Sequence, residues 1–368
     1  MAEQPFKISI PDDKLILLKK KLELTTFPDE LEDAQWAYGA PLADVKRIVG
    51  RWAGGYDWRE HEAKINAELP QFTRDIDVDG HGTLNIHYVH QSSTSVKNAI
   101  PLLFVHGWPG SFLEARKFIP LIAGDSSDGP AFHIVAISLP GFGFSQAPKT
   151  KGFDIAQHAE VCHKLMLALG YDEYVTQGGD WGYAITRMMG KLYGPKHVKA
   201  WHTNMVWETA TQCNSGLPRR QWDILLPILR LDCWRGSTKN WSPGPTHILG
   251  KTMKARSRPM FYRAIDISCP TASLRIYYEA GKGVLEDVFT TADPPNIPIG
   301  LSHFPKDIII FPRSWTRAIG DIIFERDHES GGHFPAYERP QELAEDLRLM
   351  FGQGGPAFGI FSAGNGYD

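Results

Sequence analysis

The stretch YVTQGGDWGYAIT, residues 174–186, reads as a strand, a turn and a helix in quick succession. Gly178 and Gly182 stand two residues to either side of Asp180, the form small-x-nucleophile-x-small. Glycines at that spacing relieve crowding in a sharp, strained turn that displays the residue at its apex. A plainer alternative is that Asp180 only caps the following helix. The turn alone does not choose between them; the rest of the chain does.

Working outward, short apolar runs bounded by glycine or proline precede and follow this turn: PLLFVHG at 101–107, HIVAISLPG at 133–141 and VKAWHTN at 198–204. Helical patterns separate them, DIAQHAEVCHKLMLALG at 154–170 and YAITRMMGKLYG at 183–194. Strands alternating with helices predict an α/β fold whose mainly parallel central sheet carries helices on both faces. Upstream, residues 11–50 read as helices, and TRDIDVDGHGTLNIHYVH at 73–90 reads as a β-hairpin. The alternation lapses between about 205 and 295, a stretch rich in Trp, Arg, Pro and Cys. It resumes with NIPIGL, DIIFERD and the helix PQELAEDLRLMFG. An inserted cap over the carboxyl edge of the sheet fits, because ligands bind at that edge. The expected organisation is an N-terminal region over 1–95 that wraps the core, core halves over 96–204 and 296–368, and the cap over 205–295. The tail GQGGPAFGIFSAGNGYD is glycine-rich and expected to be loosely ordered.

Two loops join Asp180 as candidates for chemistry. FVHGWPGS, 104–111, closes an earlier strand, and its turn can point a backbone N–H into the same crevice. An oxyanion hole of this architecture combines such an amide with the one after the nucleophile, here Trp108 and Trp181. An ordinary strand-to-helix turn would explain the Pro-Gly pair equally well. ESGGHFPAYERP, 329–340, lies between the last strand and the last helix and holds His333 between glycines and an aromatic. A lone loop histidine is most often a surface residue, but this one follows a nucleophile candidate in the order nucleophile, acid, base of α/β-hydrolases. A carboxylate must then hold its imidazole in register. Asp307 fits if NIPIGL is the strand and SHFPKD its crevice loop; a strand over DIIIFP would put Asp307 at the wrong end. Asp321 and Asp327, at the start and end of the histidine-bearing strand, are the rivals.

Composition narrows the classes. In 368 residues, 39 basic against 42 acidic side chains leave a formal charge of −3, with no basic run. Nothing favours nucleic acid or an anionic membrane. The four cysteines, Cys162, Cys213, Cys233 and Cys269, form no C-x-x-C pair, so neither a zinc site nor a disulfide framework is indicated. The N-terminus lacks the apolar core of a signal peptide, and no apolar run of about 18 residues occurs. A soluble protein of a reducing compartment, most simply the cytosol, is expected. Trp36, Trp52 and Trp58 are read as packing of the N-terminal region.

These pieces together carry a resemblance. The chain is similar to the microsomal-type (fungal- and plant-like) epoxide hydrolases over nearly its whole length. Its N-terminal WAYGAPLADVKRIVGRWAGGYDWREHEAKINAELPQF and LNIHYVH resemble theirs, as do HGWPGS, GFGFS, GGDWG, FPKD and GGHFPAYERP, in the same order. The resemblance implies an α/β-hydrolase fold with an inserted cap. It implies that Asp180 attacks an epoxide carbon to form a hydroxyalkyl ester, and that His333, held by Asp307, activates the water that hydrolyses it. The Trp108 and Trp181 amides would hold the oxyanion. A carboxylate suits the first task because it is already ionised near neutral pH. No metal or cofactor is implied; the partners are a small epoxide and water, and a homodimer is left open.

The family also donates protons to the epoxide oxygen from two cap tyrosines. SLRIYYE, 273–279, resembles the segment of the second one and places it at Tyr277, with Tyr278 its near neighbour. The segment of the first has no counterpart here; between Tyr193 and Tyr277 the one tyrosine is Tyr262, too close to Tyr277 for the usual spacing. Two other functions compete: a haloalkane dehalogenase, sharing Asp nucleophile and His base, and a catalytically weakened homologue that acts on or binds a biosynthetic intermediate.

Overall fold

The computed structural model describes residues 3–37, 39–124, 129–207, 271–281, 293–308, 310–362 and 364–367. Nine strands make one sheet: β1 (Gln4–Phe6), β2 (Gln71–Val78), β3 (Gly82–Gln91), β4 (Ile100–Val105), β5 (Phe132–Ile137), β6 (Tyr174–Gly178), β7 (Val198–Thr203), β8 (Ile299–His303) and β9 (Ile322–Asp327). Their order is β1-β2-β3-β5-β4-β6-β7-β8-β9. The first four in that order pair antiparallel, and the hairpin read at 73–90 is β2 and β3. From β5 to β9 all pairs are parallel. Strands β4 (IPLLFV) and β5 (FHIVAI) read as nearly continuous apolar runs because both faces of the sheet are covered there.

The longer helices among the described residues are α1 (Asp12–Glu23), α2 (Leu42–Gly54), α3 (Trp58–Glu68), α4 (Ile155–Ala168), α5 (Trp181–Tyr193), α6 (Thr271–Ala280) and α7 (Pro340–Phe351). The sheet divides the core in two. On one face Val161, Cys162, Leu165 and Met166 of α4 and Ile185 and Met189 of α5 pack with Val135 and Ile137. On the other, Leu343, Leu347 and Met350 of α7 join Phe112, Phe118, Ile65 and Trp58. Helix α4 begins at a capping box, in which Asp154 accepts from Ala156 N (2.9 Å) and its own N–H donates to Gln157 Oε1 (3.0 Å).

Local readings change in three places. The helical reading of 11–50 resolves into α1 and α2, with non-helical chain over 25–37, where Pro28 denies the helix a donor. Helix α3, which was not anticipated, starts at Asp57, whose carboxylate accepts from Glu60 N at 3.2 Å. The described part of the C-terminal tail is not loose. Gly366 O accepts from Ala131 N (2.8 Å), Gly366 N donates to Asn98 O (3.0 Å), and Ala357 is buried in the core. Backbone pairing with the strand ends holds what composition suggested would be free.

The N-terminal region is tied in by side chains of α3. Ile10 N donates to Glu62 Oε1 (2.7 Å) and Ile8 N to Asn66 Oδ1 (2.8 Å). Of the three tryptophans read as packing, Trp58 is buried and donates to Glu62, while Trp36 and Trp52 are half-buried. The expected cap lies mostly outside the described residues, as do Tyr262, Cys213, Cys233 and Cys269. Strands β7 and β8 are neighbours although β7 ends at Thr203 and β8 begins at Ile299.

Candidate active site

Parallel strands bring their carboxyl ends to one edge, and the loops leaving β4, β6, β8 and β9 supply the candidate residues there. Asp180 is the turn between β6 and α5. It sits at φ 54° and ψ −128°, a conformation an L-residue adopts only under constraint. Its side chain does not cap α5; the hydrogen bonds of the carboxylate run across the crevice instead. Close packing enforces the turn: a Cβ on Gly182 would lie 2.0 Å from Val105 O of β4. Asp180 N–H donates to the Met205 sulfur beyond β7 at 3.2 Å.

Both carboxylate oxygens of Asp180 are engaged. Trp108 N–H donates to Oδ1 at 2.7 Å, and His333 Nε2 lies 3.0 Å from Oδ2. The β4 loop comes this near because residue 107 is glycine, where a Cβ would sit 2.4 Å from Asp180 atoms. Trp181 is the first residue of α5, among the amides a helix leaves without an intrahelical acceptor. On its other side, His333 Nδ1 is 2.6 Å from Asp307 Oδ1, which also accepts from Ile308 N at 2.6 Å. His333 and Asp307 are nearly dry, with side chains 4% and 5% exposed.

Burial pushes the His333 pKa down, but the charge of Asp307 and then the hydrogen bond to Asp180 outweigh it. Together with the Asp307 hydrogen bond and the Asp180 charge they raise it to about 10. The resting site is therefore an imidazolium between two carboxylates.

Asp307 lies in the loop after β8, which runs two residues further than NIPIGL, through Ser302 and His303. DIIIFP forms no strand in its described part. The rivals are elsewhere: Asp321 O accepts from Ile299 N at the opposite end of the sheet, and exposed Asp327 pairs with Arg313.

Tyr277, on α6, packs edge-on against Trp181 (ring centroids 4.7 Å) and Trp108 (5.5 Å), the residues whose amides flank Asp180. Tyr278, one residue on, is 61% exposed. The structure also gathers residues that sequence reading passed over. Asn204, after β7, accepts from Gln177 Nε2 (2.9 Å) and donates to His333 O (3.4 Å), bracing the histidine loop against β6. No periodicity or motif marks Asn204 or Met205; only the strand order makes them neighbours of the site. Among the described residues no group of three or more His, Cys, Asp or Glu could hold a metal ion, and no helix is long and apolar enough to cross a membrane.

An acidic residue on a strained strand-to-helix turn, faced by a histidine–carboxylate pair on a mainly parallel sheet, places the chain in the α/β-hydrolase fold. The alpha/beta hydrolase fold profile matches residues 100–223, and that of the epoxide hydrolase N terminus matches residues 3–115. A putative epoxide hydrolase of Stigmatella aurantiaca is 32% identical over 95% of this chain and 84% of its own length. Juvenile hormone epoxide hydrolase 1 of Ctenocephalides felis is 37% identical over 94% and 84%. An enantioselective mutant of the Aspergillus niger epoxide hydrolase superposes with a TM-score of 0.73, at 30% identity, over 94% of this chain and 95% of that one. The chain belongs to the epoxide hydrolase family.

Proposed function

We propose that the protein hydrolyses an epoxide to a vicinal diol through an ester on Asp180. The observation that carries this reading is the disposition of the two Asp180 oxygens, Oδ1 on the Trp108 amide and Oδ2 beside His333. In the first step Oδ2 bonds to an epoxide carbon, the ring C–O bond breaks, and its electron pair goes to the epoxide oxygen. The Tyr277 hydroxyl donates a hydrogen bond to that oxygen as charge develops. Esterification removes the Asp180 charge, one of the two that hold the His333 pKa high, so the imidazolium gives up the proton that the alkoxide requires. Neutral His333, oriented by Asp307, then takes a proton from water. The water oxygen attacks Asp180 Cγ, and charge collects on Oδ1, where the Trp108 and Trp181 amides receive it. Collapse expels the diol oxygen, which takes its proton back from His333, and the second proton of the water, left on the Asp180 carboxyl, passes to His333 and restores the resting pair. On this reading residues 205–295, most of which lie outside the described residues, are the cap insertion.

The test is a rapid quench followed by intact-mass analysis with styrene oxide. Wild type and His333→Gln should show an adduct of epoxide mass, persistent in the variant because water is not activated. Asp180→Asn should show none. An undiminished adduct in Asp180→Asn would place the nucleophile elsewhere, and turnover of a bromoalkane in preference to the epoxide would favour dehalogenation.

A further inference from the structure

His106 is fully buried behind the β4 loop, and its two ring nitrogens have partners of opposite kind. Nε2 lies 3.2 Å from Leu139 N, a group that can only donate, so Nε2 carries a lone pair. Nδ1 lies 2.9 Å from Gly107 O, a group that can only accept, so Nδ1 carries the proton. The neighbours thus set the tautomer. Gly107 C=O belongs to the same peptide unit as Trp108 N–H, and in a trans peptide the two point in opposite directions. Gripping the carbonyl from behind therefore aims the amide, which meets Asp180 Oδ1 at 2.7 Å. Gly107 has no side chain to hold this peptide plane, and no Cβ could be added without striking Asp180. Leu139 lies in the loop after β5, two residues before GFGFS, so the start of that loop enters the site as the anchor for His106.

We infer that His106 is a positioning residue: its Nδ1–H fixes the Gly107–Trp108 peptide so that the amide serves the oxyanion on Asp180. The inference rests on the ester mechanism proposed above, and it separates the two steps. In the ester, Oδ1 is the acyl oxygen, and its charge rises only when water adds. Misaligning the amide should slow ester hydrolysis far more than ester formation, and adduct should accumulate in the steady state.

Two substitutions divide the ring. His106→Asn can keep a donor near the Nδ1 position but nothing at Nε2. His106→Gln can reach the Leu139 amide but places no donor on Gly107 O. With styrene oxide under single-turnover conditions, His106→Gln should lower the hydrolysis rate by about 10²-fold, the scale of one lost oxyanion donor, with alkylation changed only a few-fold. His106→Asn should hydrolyse within several-fold of wild type even if its Tm falls as far. Equal hydrolysis rates in the two variants, or equal losses in both steps, would reduce His106 to a structural role and overturn the inference. Absence of adduct in His333→Gln would instead overturn the ester reading. Neutron diffraction of the unsubstituted protein reads the proton without any variant, and a proton on Nε2 would refute the proposal.

Discussion

At the residue scale the site is a set of opposed constraints on one carboxylate. Asp180 is strained in φ, pinned at one oxygen by an amide and faced at the other by an imidazolium. That arrangement keeps the anion ready without a base to activate it. Tyr277 is set against both flanking tryptophans, so Tyr277→Phe preserves the ring packing and removes only the hydroxyl. On the proposed mechanism that hydroxyl acts only in the ring-opening transition state, so the alkylation rate should fall by about 10²-fold with substrate affinity little changed. Tyr278→Phe, altering a mostly exposed side chain, should leave alkylation as it was. Pre-steady-state burst kinetics compare the two, and a larger effect at Tyr278 would reassign the proton donor.

At the element scale the turn between β6 and α5 is held less by its own hydrogen bonds than by how near β4 passes. Val105 lies opposite Gly178, and its carbonyl occupies the space a side chain at 182 would need. Gly182→Ala must push α5 and β4 apart. Overpacking of this kind costs about 1–3 kcal/mol, and the loss should appear as a lower denaturant midpoint with an unchanged m-value. Because the Trp108 loop leaves the same strand, ester hydrolysis should slow as well. A variant with wild-type midpoint and rates would show that the turn has room to relax. Glycine spacing made this turn legible in sequence. The helical pattern of 154–170 made α4 equally so, and the capping box of Asp154 and Gln157 emerged with the structure. Helix α3 escaped notice because the partners of its inner face, Ile8 and Ile10 in the segment after β1, are some fifty residues away in sequence.

At the scale of the whole molecule, the His333 charge couples the site to stability. Its folded pKa, about 10, stands above the unfolded value near 6.5. The sign follows: the folded state binds the proton more tightly, so this contribution is complete below about pH 6.5 and is lost as pH rises through about 10. The stability difference between wild type and His333→Gln should therefore shrink steadily from pH 6.5 to 10. Urea titrations across that range measure it, and a difference independent of pH would mean that the imidazolium is not held between the two carboxylates.

The sequence by itself determined the class of fold and the residues worth suspecting, because both rest on local chemistry. Strand and helix periods, the glycines around Asp180 and the order Asp180, Asp307, His333 all lie along the chain. What it could not determine was every fact that depends on which strands are neighbours. Asp307 was separable from Asp321 and Asp327 only by assuming where β8 ends, and the strand in fact continues through His303. The glycine-rich tail looked unrestrained because its partners, Ala131 and Asn98, are far away in sequence. His106 was visible in HGWPGS, yet its tautomer is set by Leu139, from a loop that only the β4–β5 pairing brings alongside. Tertiary structure decided these points because a hydrogen bond is specified by the approach of two groups, and sequence separation does not encode that distance.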